Sequence, residues 1–367
     1  MKPYIPETLP LNTSDWNWKS LIQKVSFASA SLAYYNGILE SMINPEIFIS
    51  PLEINEAVFS SRIEGTITTM DEILRFEVNL KPDDSSKRND IIEVLNYQKA
   101  MRNARDWLQR NLPFNQTMIR AIQKDLMTGV RGKDKLPGEL RNEQVWIGPK
   151  RSTIDEASFV PPEPFGIEIW LENLMDYLKN DEPETLIQTA IMHAQFEIIH
   201  PFMDGNGRTG RILIPLFLWH KKRLNSPMFY ISKYFEEFRG EYIDNLLLIS
   251  QEKDWLPWIR FFLEAVTTQA KRNAEKASQI LSLYGEMKNL VSKVSNSPYG
   301  IMVLDTLFSK PIFRIADFMN RSGLNHQTSY RIIMRLKNEG LIRTYKTPAG
   351  RSPEVFIFDS LYYLVNK

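Results

Sequence analysis

Apolar residues recur at helical spacing over most of the first 300 positions of the chain. The longest such patterns cover about 16–42, 89–110 and 184–199, followed by a mostly polar one at about 262–293. The alternation of a half-buried strand is scarce in this part, so the pattern predicts a mainly α protein. Polar residues 81–90 separate two helical patterns and are typical of an exposed loop.

One stretch departs from helical spacing. Two short β-prone runs, 144–148 and 157–160, flank a polar turn and precede Pro161 and Pro162. This pattern predicts a small β-hairpin. Because an isolated hairpin is only marginally stable in water, we expect it to pack on the helices. The pattern alone is equally typical of a surface decoration.

The end of the chain has a third pattern. Short helical stretches at 301–308, 315–319 and 327–338 precede a hairpin pattern at 343–358. Three helices followed by a two-stranded wing resemble a winged helix-turn-helix.

These changes divide the chain into an N-terminal helical segment at 1–88, a main helical body at 89–296 and the winged helix-turn-helix at 297–367. The last part carries ten Lys or Arg against five Asp or Glu, a net charge of +5. The whole chain has 45 basic and 44 acidic residues, a net charge of +1. Nucleic acid would therefore have to bind locally, at the C-terminal part.

The composition is that of a globular protein, with 43% hydrophobic and 24% charged residues in 367. The chain has no cysteine, which excludes disulfides, cysteine-based zinc sites and a thiol nucleophile. No apolar run reaches the roughly 18 residues of a membrane span, and the first residues do not resemble a signal peptide. We expect a cytoplasmic protein that does not bind membranes.

Polar side chains are densest where two helical patterns meet. A helix over 191–200 places His193, Glu197 and His200 on one face, and Pro201 ends that helix. Imidazole and carboxylate groups on one face can bind zinc, which is one interpretation. The spacing lacks the His-Glu-x-x-His pairing of zinc enzymes, however, and the arginines that follow would repel a cation.

The turn after this helix favours an anion. Gly205 and Gly207 allow backbone amides to converge at the start of the next helix, whose N-terminal end is positive. Arg208 and Arg211 add two guanidinium groups suited to phosphate oxygens. A polyphosphate is the ligand that this combination predicts.

Asp204 and His200 complete the predicted chemistry. A carboxylate beside phosphates is a common magnesium ligand, and a histidine near neutral pKa can take a proton from an attacking hydroxyl. Taken singly, His200 could instead cap its helix, and the glycine-rich loop could be an ordinary turn.

Residues 200–211, His-Pro-Phe-Met-Asp-Gly-Asn-Gly-Arg-Thr-Gly-Arg, resemble the Fic motif at every defined position. The resemblance covers about 10–290 and implies an all-helical Fic fold with a β-hairpin flap. It also implies transfer of AMP from ATP, with Mg²⁺, to a Ser, Thr or Tyr hydroxyl of a protein. By this resemblance His200 is the catalytic base, Asp204 holds the metal, and the ATP-binding residues are Gly205, Asn206, Gly207, Arg208, Thr209, Gly210, Arg211, Tyr242 and Ile243.

The same resemblance gives the hairpin a role. Segment 137–141 is similar to the family, and the flap that follows would dock the target's backbone along an exposed edge. The docking residues are then Val145, Trp146, Ile147 and Gly148. Tyr242 and Ile243, placed at the adenine by the resemblance, are otherwise candidates for core packing.

A second signature, Ser60-Ser-Arg-Ile-Glu-Gly65, resembles the inhibitory helix that precedes some Fic domains. It implies an inhibitory set of Ser60, Glu64 and Gly65, in which Glu64 forms an ion pair with Arg211. That pair would occupy the guanidinium that the γ-phosphate of ATP needs. The alternative is an ordinary helix end at Gly65.

Other functions stay open. The chain could be a nucleotide-sensing transcriptional regulator whose DNA-reading residues are Gln327, Ser329, Tyr330, Arg331 and Arg335, or its winged helix could bind a protein. The core could also transfer another phosphate-containing group, or remove AMP with Glu64 positioning water. The target, self-modification and a homodimer that masks the flap are not decided by the sequence.

Overall fold

The chain is described from a computed structural model that covers residues 2–80, 82, 84–129, 135–149, 153–348 and 353–366, with only the backbone of 48 and 49. It is mainly helical, as predicted. The helices are α1 Trp18–Glu40, α2 Pro45–Ile63, α3 Met70–Glu77, α4 Ser85–Gln109, α5 Gln116–Leu126, α6 Ile167–Lys179, α7 Thr185–Ile199, α8 Asn206–His220, α9 Ser232–Glu237, α10 Arg239–Glu252, α11 Leu256–Ser295, α12 Gly300–Ser309, α13 Ile315–Ser322, α14 His326–Asn338 and α15 Asp359–Asn366. The strands are β1 Ile312–Arg314, β2 Arg343–Lys346 and β3 Val355–Ile357. Within the described residues, no helix has the length and apolarity to cross a membrane.

The chain forms two compact units. Unit one consists of Met1–Asn36, Phe59–Thr66 and Ile92–Lys271, and unit two of Gly37–Val58, Ile67–Ile91 and Arg272–Lys367. The N-terminal 88 residues therefore contribute to both units. The three-part division proposed from the sequence stays a prediction.

The core of unit one is built around α7 and α8, which pack against each other. All residues of α7 except Glu197 are buried, and most of α8 is buried as well. Both helices are apolar on nearly every side, which is the composition of an internal helix. Trp258, fully buried, donates from its indole nitrogen to the Ala190 carbonyl at 2.8 Å and so fixes α11 to α7. The turn between α7 and α8 is thus held inside a packed core.

The predicted hairpin is reduced to a single antiparallel bridge between Ile147 and Phe159 among the described residues. Residues 150–152, in the predicted turn, lie outside the described part. At the arm 157–160, the Tyr4 amide donates to the Val160 carbonyl at 2.9 Å, so the N-terminal segment covers the outer edge of that arm. The remaining edge of the hairpin region is the one at 145–148.

Unit two contains the C-terminal elements. As the sequence predicts, three helices, α12 to α14, precede a hairpin of β2 and β3, and the sheet has the antiparallel order β1-β3-β2. Strand β1 and helix α15 are additions that the sequence pattern did not predict. The side chains of Tyr345 in β2 and Tyr362 in α15 both donate to Asp71 of α3. The assignment of these elements as a winged helix-turn-helix stays a prediction.

Candidate functional site

The turn between α7 and α8 begins at His200, which is the C-cap of α7. His200 has a left-handed conformation (φ 49°), and its amide donates to the Phe196 carbonyl at 3.0 Å. Its Nδ1 lies 3.3 Å from the Glu197 carbonyl. Because a carbonyl can only accept, this contact puts the proton on Nδ1 and leaves Nε2 with a lone pair. Burial, together with the charge of Arg141, lowers the pKa of His200 to about 4, so the ring is neutral at pH 7.

Side-chain amides hold the loop in shape. The buried Asn206 accepts from the Phe202 amide at 2.9 Å and donates to the Phe202 carbonyl at 2.8 Å. The buried Gln123 of α5 donates to the Asp204 carbonyl at 2.9 Å and accepts from the Gly138 amide at 2.6 Å. Gly205, with φ 81°, occupies the left-handed region that favours glycine. The side chain of Asn206 is therefore committed to the loop itself.

Two glycines of α8 permit close approach by carboxyl groups. A Cβ on Gly207 would collide with Oε1 of Glu64, and a Cβ on Gly210 would collide with Oε1 of Glu197. Glycine at these positions thus allows two acidic side chains to reach the first turns of α8.

Arg211 is held by the end of α2. Its Nε donates to Ser60 Oγ at 2.8 Å, and its Nη2 donates to the Ser60 carbonyl at 2.9 Å and to Glu64 Oε1 at 2.6 Å. The Arg211 side chain is 1% exposed, whereas that of Glu64 is 39% exposed. Burial alone would raise the pKa of Glu64, but the Arg211 guanidinium outweighs this and lowers it. The pair that the resemblance implied is therefore present, with both partners charged at neutral pH.

Further contacts hold this end of α2 on unit one. Arg239 donates to the Ile63 carbonyl at 3.2 Å, and Arg62 lies 3.7 Å from Glu236. Gly65 follows with φ 96°, so it also ends the helix as the simpler interpretation required. The segment 60–65 therefore combines an ordinary helix end with an ion pair to Arg211.

A cavity of about 390 Å³ lies next to these groups. Its wall combines charged and polar side chains with apolar ones. The lining residues are Ile63, Glu64, Trp146, Ile147, Gly148, Phe159, Glu197, Ile198, His200, Gly207, Arg211, Arg239, Tyr242, Ile243, Leu246 and Leu247. The cavity thus brings together ten of the residues singled out from the sequence: Glu64, Trp146, Ile147, Gly148, Glu197, His200, Gly207, Arg211, Tyr242 and Ile243.

Other residues singled out from the sequence are not part of the lining: Ser60, Gly65, Val145, Asp204, Gly205, Asn206, Arg208, Thr209 and Gly210. Arg208 is 5% exposed, with Nη1 at 3.4 Å from Glu93 and Nη2 at 3.8 Å from Asp204. Thr209 donates to the Gly205 carbonyl at 2.8 Å. The contacts of these two side chains stabilise the loop and α8.

Asp204 is the candidate metal ligand. Its side chain is 39% exposed, and Oδ1 accepts from the Gly205 amide at 2.6 Å. Magnesium commonly takes one or two carboxylates and completes its shell with phosphates and water, so a single accessible carboxylate beside a phosphate site fits it. Among the described residues, no three His, Asp or Glu side chains are placed to hold a metal ion together.

The zinc interpretation of the α7 face is therefore wrong for the described residues. His193 is fully buried, with Nε2 at 2.9 Å from the Tyr242 hydroxyl and its ring stacked on Phe235 and Trp258. Burial lowers its pKa to about 3. Burial also raises the pKa of Glu197 to about 8, although Arg211 opposes this shift. His193 is a packing residue behind the cavity.

Two residues of the site, Arg141 and Gln123, were not predicted from the sequence. Arg141 lies in a segment noted only for its resemblance, and Gln123 lies on an unremarked helix. Both act through backbone groups, which every residue carries, so no partner residue type marks them in the sequence. Glu197 was considered as a metal ligand, whereas the structure places it in the cavity wall.

The DNA-reading face proposed for α14 is only partly formed. Gln327, Tyr330 and Arg331 are exposed, but Ser329 is fully buried and Arg335 donates to the Ser295 carbonyl at 3.0 Å. Within 297–367, Arg314 pairs with Asp317, Lys337 with Glu354 and Arg343 with Asp359, and these three acids are already included in the net charge; Lys310 pairs with Glu77, which lies outside the segment. The pair with Glu77 therefore leaves slightly less of the local positive charge available to nucleic acid than the net charge of +5 suggested.

Comparison with protein families finds two matches. The model described as "Fic/DOC family N-terminal" matches residues 22–106, and the one described as "Fic/DOC family" matches residues 113–218. The second range includes the whole loop at 200–207 and all of α7.

Curated relatives cover parts of the chain. A probable protein adenylyltransferase of Aquifex aeolicus is 26% identical over 214 residues, which are 57% of this chain and 60% of that protein. The protein adenylyltransferase Fic of Drosophila willistoni is 31% identical over 130 residues, which are 35% of this chain and 23% of that protein. The chain thus spans less than two thirds of either relative.

Solved structures with a similar fold include a Fic family protein from Desulfovibrio desulfuricans G20. It has a TM-score of 0.61 and 18% identity, with 98% of each chain covered. A Fic domain containing signaling protein from Bacteroides thetaiotaomicron VPI-5482 has a TM-score of 0.54 and 17% identity, with 70% of this chain and 97% of that chain covered. At these identities the likeness concerns the fold.

Proposed function

Because the chain belongs to the Fic/DOC family, we propose that it is a protein adenylyltransferase held in an inhibited state by Glu64. The proposed substrates are ATP and a protein that presents a Ser, Thr or Tyr hydroxyl. The names of the relatives from Aquifex and Drosophila support this activity.

One observation carries the proposal: a single cavity is lined by His200, Gly207 and Arg211 together with apolar residues of α10. A nucleotide needs both environments, since its phosphates require donors and its base packs on apolar surface. Gly207 lies at the N-terminal end of α8, where backbone dipoles favour a phosphate. Tyr242 and Ile243 supply the surface proposed for the adenine.

In the proposed reaction the target hydroxyl oxygen attacks the α-phosphorus of ATP. The bond from that phosphorus to the oxygen bridging the α- and β-phosphates breaks, and pyrophosphate leaves. His200 accepts the hydroxyl proton on Nε2, which the contact of Nδ1 with the Glu197 carbonyl keeps available. The lowered pKa of His200 keeps the ring unprotonated at neutral pH. The Asp204 carboxylate would hold a magnesium ion that neutralises phosphate charge.

Arg211 is proposed to bind the γ-phosphate once Glu64 has moved. In the resting protein its Nη2 is engaged by Glu64 and by the Ser60 carbonyl. A phosphate oxygen and a carboxylate oxygen make the same kind of charge-assisted hydrogen bond to a guanidinium. The nucleotide and Glu64 therefore compete for one donor, and the ion pair keeps the rate low.

The test is incubation with ATP labelled at the α-phosphate and with magnesium. We expect Glu64→Gly to incorporate label into protein, into itself or into an added lysate, at least about fivefold faster than the unmodified chain, since couplings between sites commonly amount to 5–150-fold. Glu64→Gly with His200→Ala should lose about 1,000-fold of that rate, the size of a general-base contribution.

Glu252→Gly is a matched control, because Glu252 is likewise a glutamate at a helix end, exposed at the end of α10, and does not line the cavity. It should leave the rate close to that of the unmodified chain. No label on protein in Glu64→Gly, with ATP binding intact, would reject the proposed activity.

A further inference from the structure

Arg141 is a fully buried cation, 2% exposed, between α5 and α6. Its Nε donates to the His200 carbonyl at 2.8 Å, its Nη1 to the Glu143 carbonyl at 3.1 Å and its Nη2 to the Pro162 carbonyl at 2.5 Å. Its own amide donates to the Pro201 carbonyl at 2.9 Å. Arg141 therefore joins the turn after α7, at His200 and Pro201, to both ends of the hairpin region, at Glu143 and Pro162.

We call the hairpin region 143–162 the flap. Its two arms share only the backbone bridge between Ile147 and Phe159 among the described residues. At the base of the flap, side chains connect the two arms. Arg141 donates to the carbonyls of Glu143 and Pro162, and Gln144 donates to the carbonyls of Val145 and Pro161 at 3.0 and 2.9 Å. These side-chain bonds take the place of the ladder that a regular hairpin would have.

The guanidinium group of Arg141 is suited to joining several backbone carbonyls. Every hydrogen bond of its side chain within the described residues goes to a backbone carbonyl, and none goes to a carboxylate. Burial lowers its pKa to about 10, so it stays charged at neutral pH. A guanidinium has a planar set of donors that can meet three carbonyls at once, whereas an ammonium group cannot reproduce that geometry.

Arg141 is also absent from the lining of the cavity, so it has no contact with the space proposed for ATP. Trp146, Ile147 and Gly148 of the flap do line that cavity, as does His200. The flap and His200 thus both line the cavity. Arg141 does not line it, but bonds to the backbone of both.

We propose that Arg141 is a positioning residue that fixes the flap and His200 relative to each other, so that a target segment on the flap presents its hydroxyl to His200. The proposal rests on the proposed function for its catalytic consequence. Its structural part, the coupling of the flap base to residues 200–202, does not depend on any activity.

The structural part is tested by amide hydrogen exchange on the full chain. In Arg141→Lys we expect the amides of both flap arms, 143–148 and 157–160, and those of His200 and Phe202 at 200–202 to exchange at least about tenfold faster together. That is the size expected from losing one hydrogen bond to a charged group. Gln144→Ala should speed exchange in the flap arms and leave 200–202 unchanged, because Gln144 has no bond to the catalytic turn.

Arg120→Lys is the matched control. Arg120 is a partly exposed arginine 3.6 Å from Glu139, which lies two residues before Arg141, and its replacement should change neither set of amides. If Arg141→Lys speeds exchange in the flap alone, at 200–202 alone, or evenly across unit one, the proposed coupling is refuted.

The catalytic part is tested in the Glu64→Gly background with ATP labelled at the α-phosphate. Adding Arg141→Lys should lower the rate of label transfer to protein at least about tenfold, while the affinity for ATP, measured by calorimetry, changes less than twofold. An equal loss of ATP affinity, or an unchanged rate, would contradict a positioning role. If Glu64→Gly itself transfers no label, the proposed function fails and the exchange result still decides the coupling.

Discussion

The loop at 200–207 and the segment at 60–65 both contact the same first turns of α8, but they are held in different ways. The loop is fixed by buried amides and by Arg141, which bond backbone groups at 2.5 to 3.1 Å. The segment engages Arg211 through Ser60 and through Glu64, whose side chain is 39% exposed.

This difference separates a permanent part of the site from a replaceable one. No ligand can substitute for Asn206 or Gln123, since both are buried and bonded to backbone within the protein. A phosphate can substitute for the Glu64 carboxylate, because both are anions that accept from a guanidinium. We therefore expect the loop to keep its conformation when a nucleotide binds, whereas the ion pair of Glu64 can be replaced by a phosphate.

Acid should weaken the core around α7 before it breaks the ion pair. The pKa of the buried His193 is lowered to about 3, whereas an unfolded chain would protonate it near 6.5. Between these values the unfolded state binds a proton that the folded state does not, so stability falls as pH falls from 6.5. For His193 the loss is at most about 1.4 kcal/mol per pH unit, or roughly 3 kcal/mol by pH 4. The lowered pKa of His200 adds a loss of the same sign. The pKa of Glu64 is lowered, so its ion pair is lost only below about 4.5.

The measurement is urea unfolding between pH 7 and pH 4 for the unmodified chain and for His193→Gln. The slope of unfolding free energy against pH should be shallower in His193→Gln. His326→Gln is the control, because His326 is exposed at the start of α14. Equal slopes for the unmodified chain and His193→Gln would contradict the assignment of the acid-sensitive group.

Asn206→Ala should break the loop without touching the ion pair. It removes two hydrogen bonds to Phe202 and leaves buried backbone groups unpaired, which costs about 2 kcal/mol. Urea unfolding at pH 7 measures this loss. Asn245→Ala, on an exposed amide of α10, should change the unfolding free energy by less than about 0.5 kcal/mol. A loss as small in Asn206→Ala as in Asn245→Ala would mean that the loop does not depend on this side chain.

Ser60→Ala should have the smallest effect of the three. Arg211 loses its bond to Ser60 Oγ but keeps Glu64 and the Ser60 carbonyl, so unfolding free energy should fall by roughly 1.5 kcal/mol. Ser61→Ala is a close match: Ser61 is also fully buried, and its hydroxyl has no hydrogen-bond partner among the described residues. Urea unfolding should therefore separate the two alanine variants, and identical values would argue against the Ser60 contact.

The sequence predicted the helices of the site well. The pattern at 184–199 corresponds to α7 Thr185–Ile199, and the buried helix expected after the loop is α8 Asn206–His220. The resemblance at 60–65 led to the Glu64 and Arg211 contact. Helix periodicity and a dense motif depend on residues close in sequence, so they can be recognised without knowledge of the fold.

The sequence did less well where tertiary packing decides. Among its described residues the flap shows one bridge where two strands were expected, and Arg141 and Gln144 bond its arms through side chains. The buried contact of Arg208 with Glu93 of α4, at 3.4 Å, was not indicated by the sequence, and the role of Arg208 at the phosphates stays a prediction. Ser329 was expected to face DNA but lies on the buried side of α14. In each case the partner lies far along the chain or is a backbone group.

The central claim is that Glu64 restrains the reaction through Arg211, and a double variant tests it most directly. Transfer of label from α-labelled ATP should be compared for the unmodified chain, Glu64→Gly, Arg211→Ala and the double variant under identical conditions. We predict that Glu64→Gly raises the rate about 5–150-fold in the presence of Arg211 and leaves it unchanged when Arg211 is alanine. A similar increase in both backgrounds would contradict the claim, since Glu64 would then act without the guanidinium that it contacts.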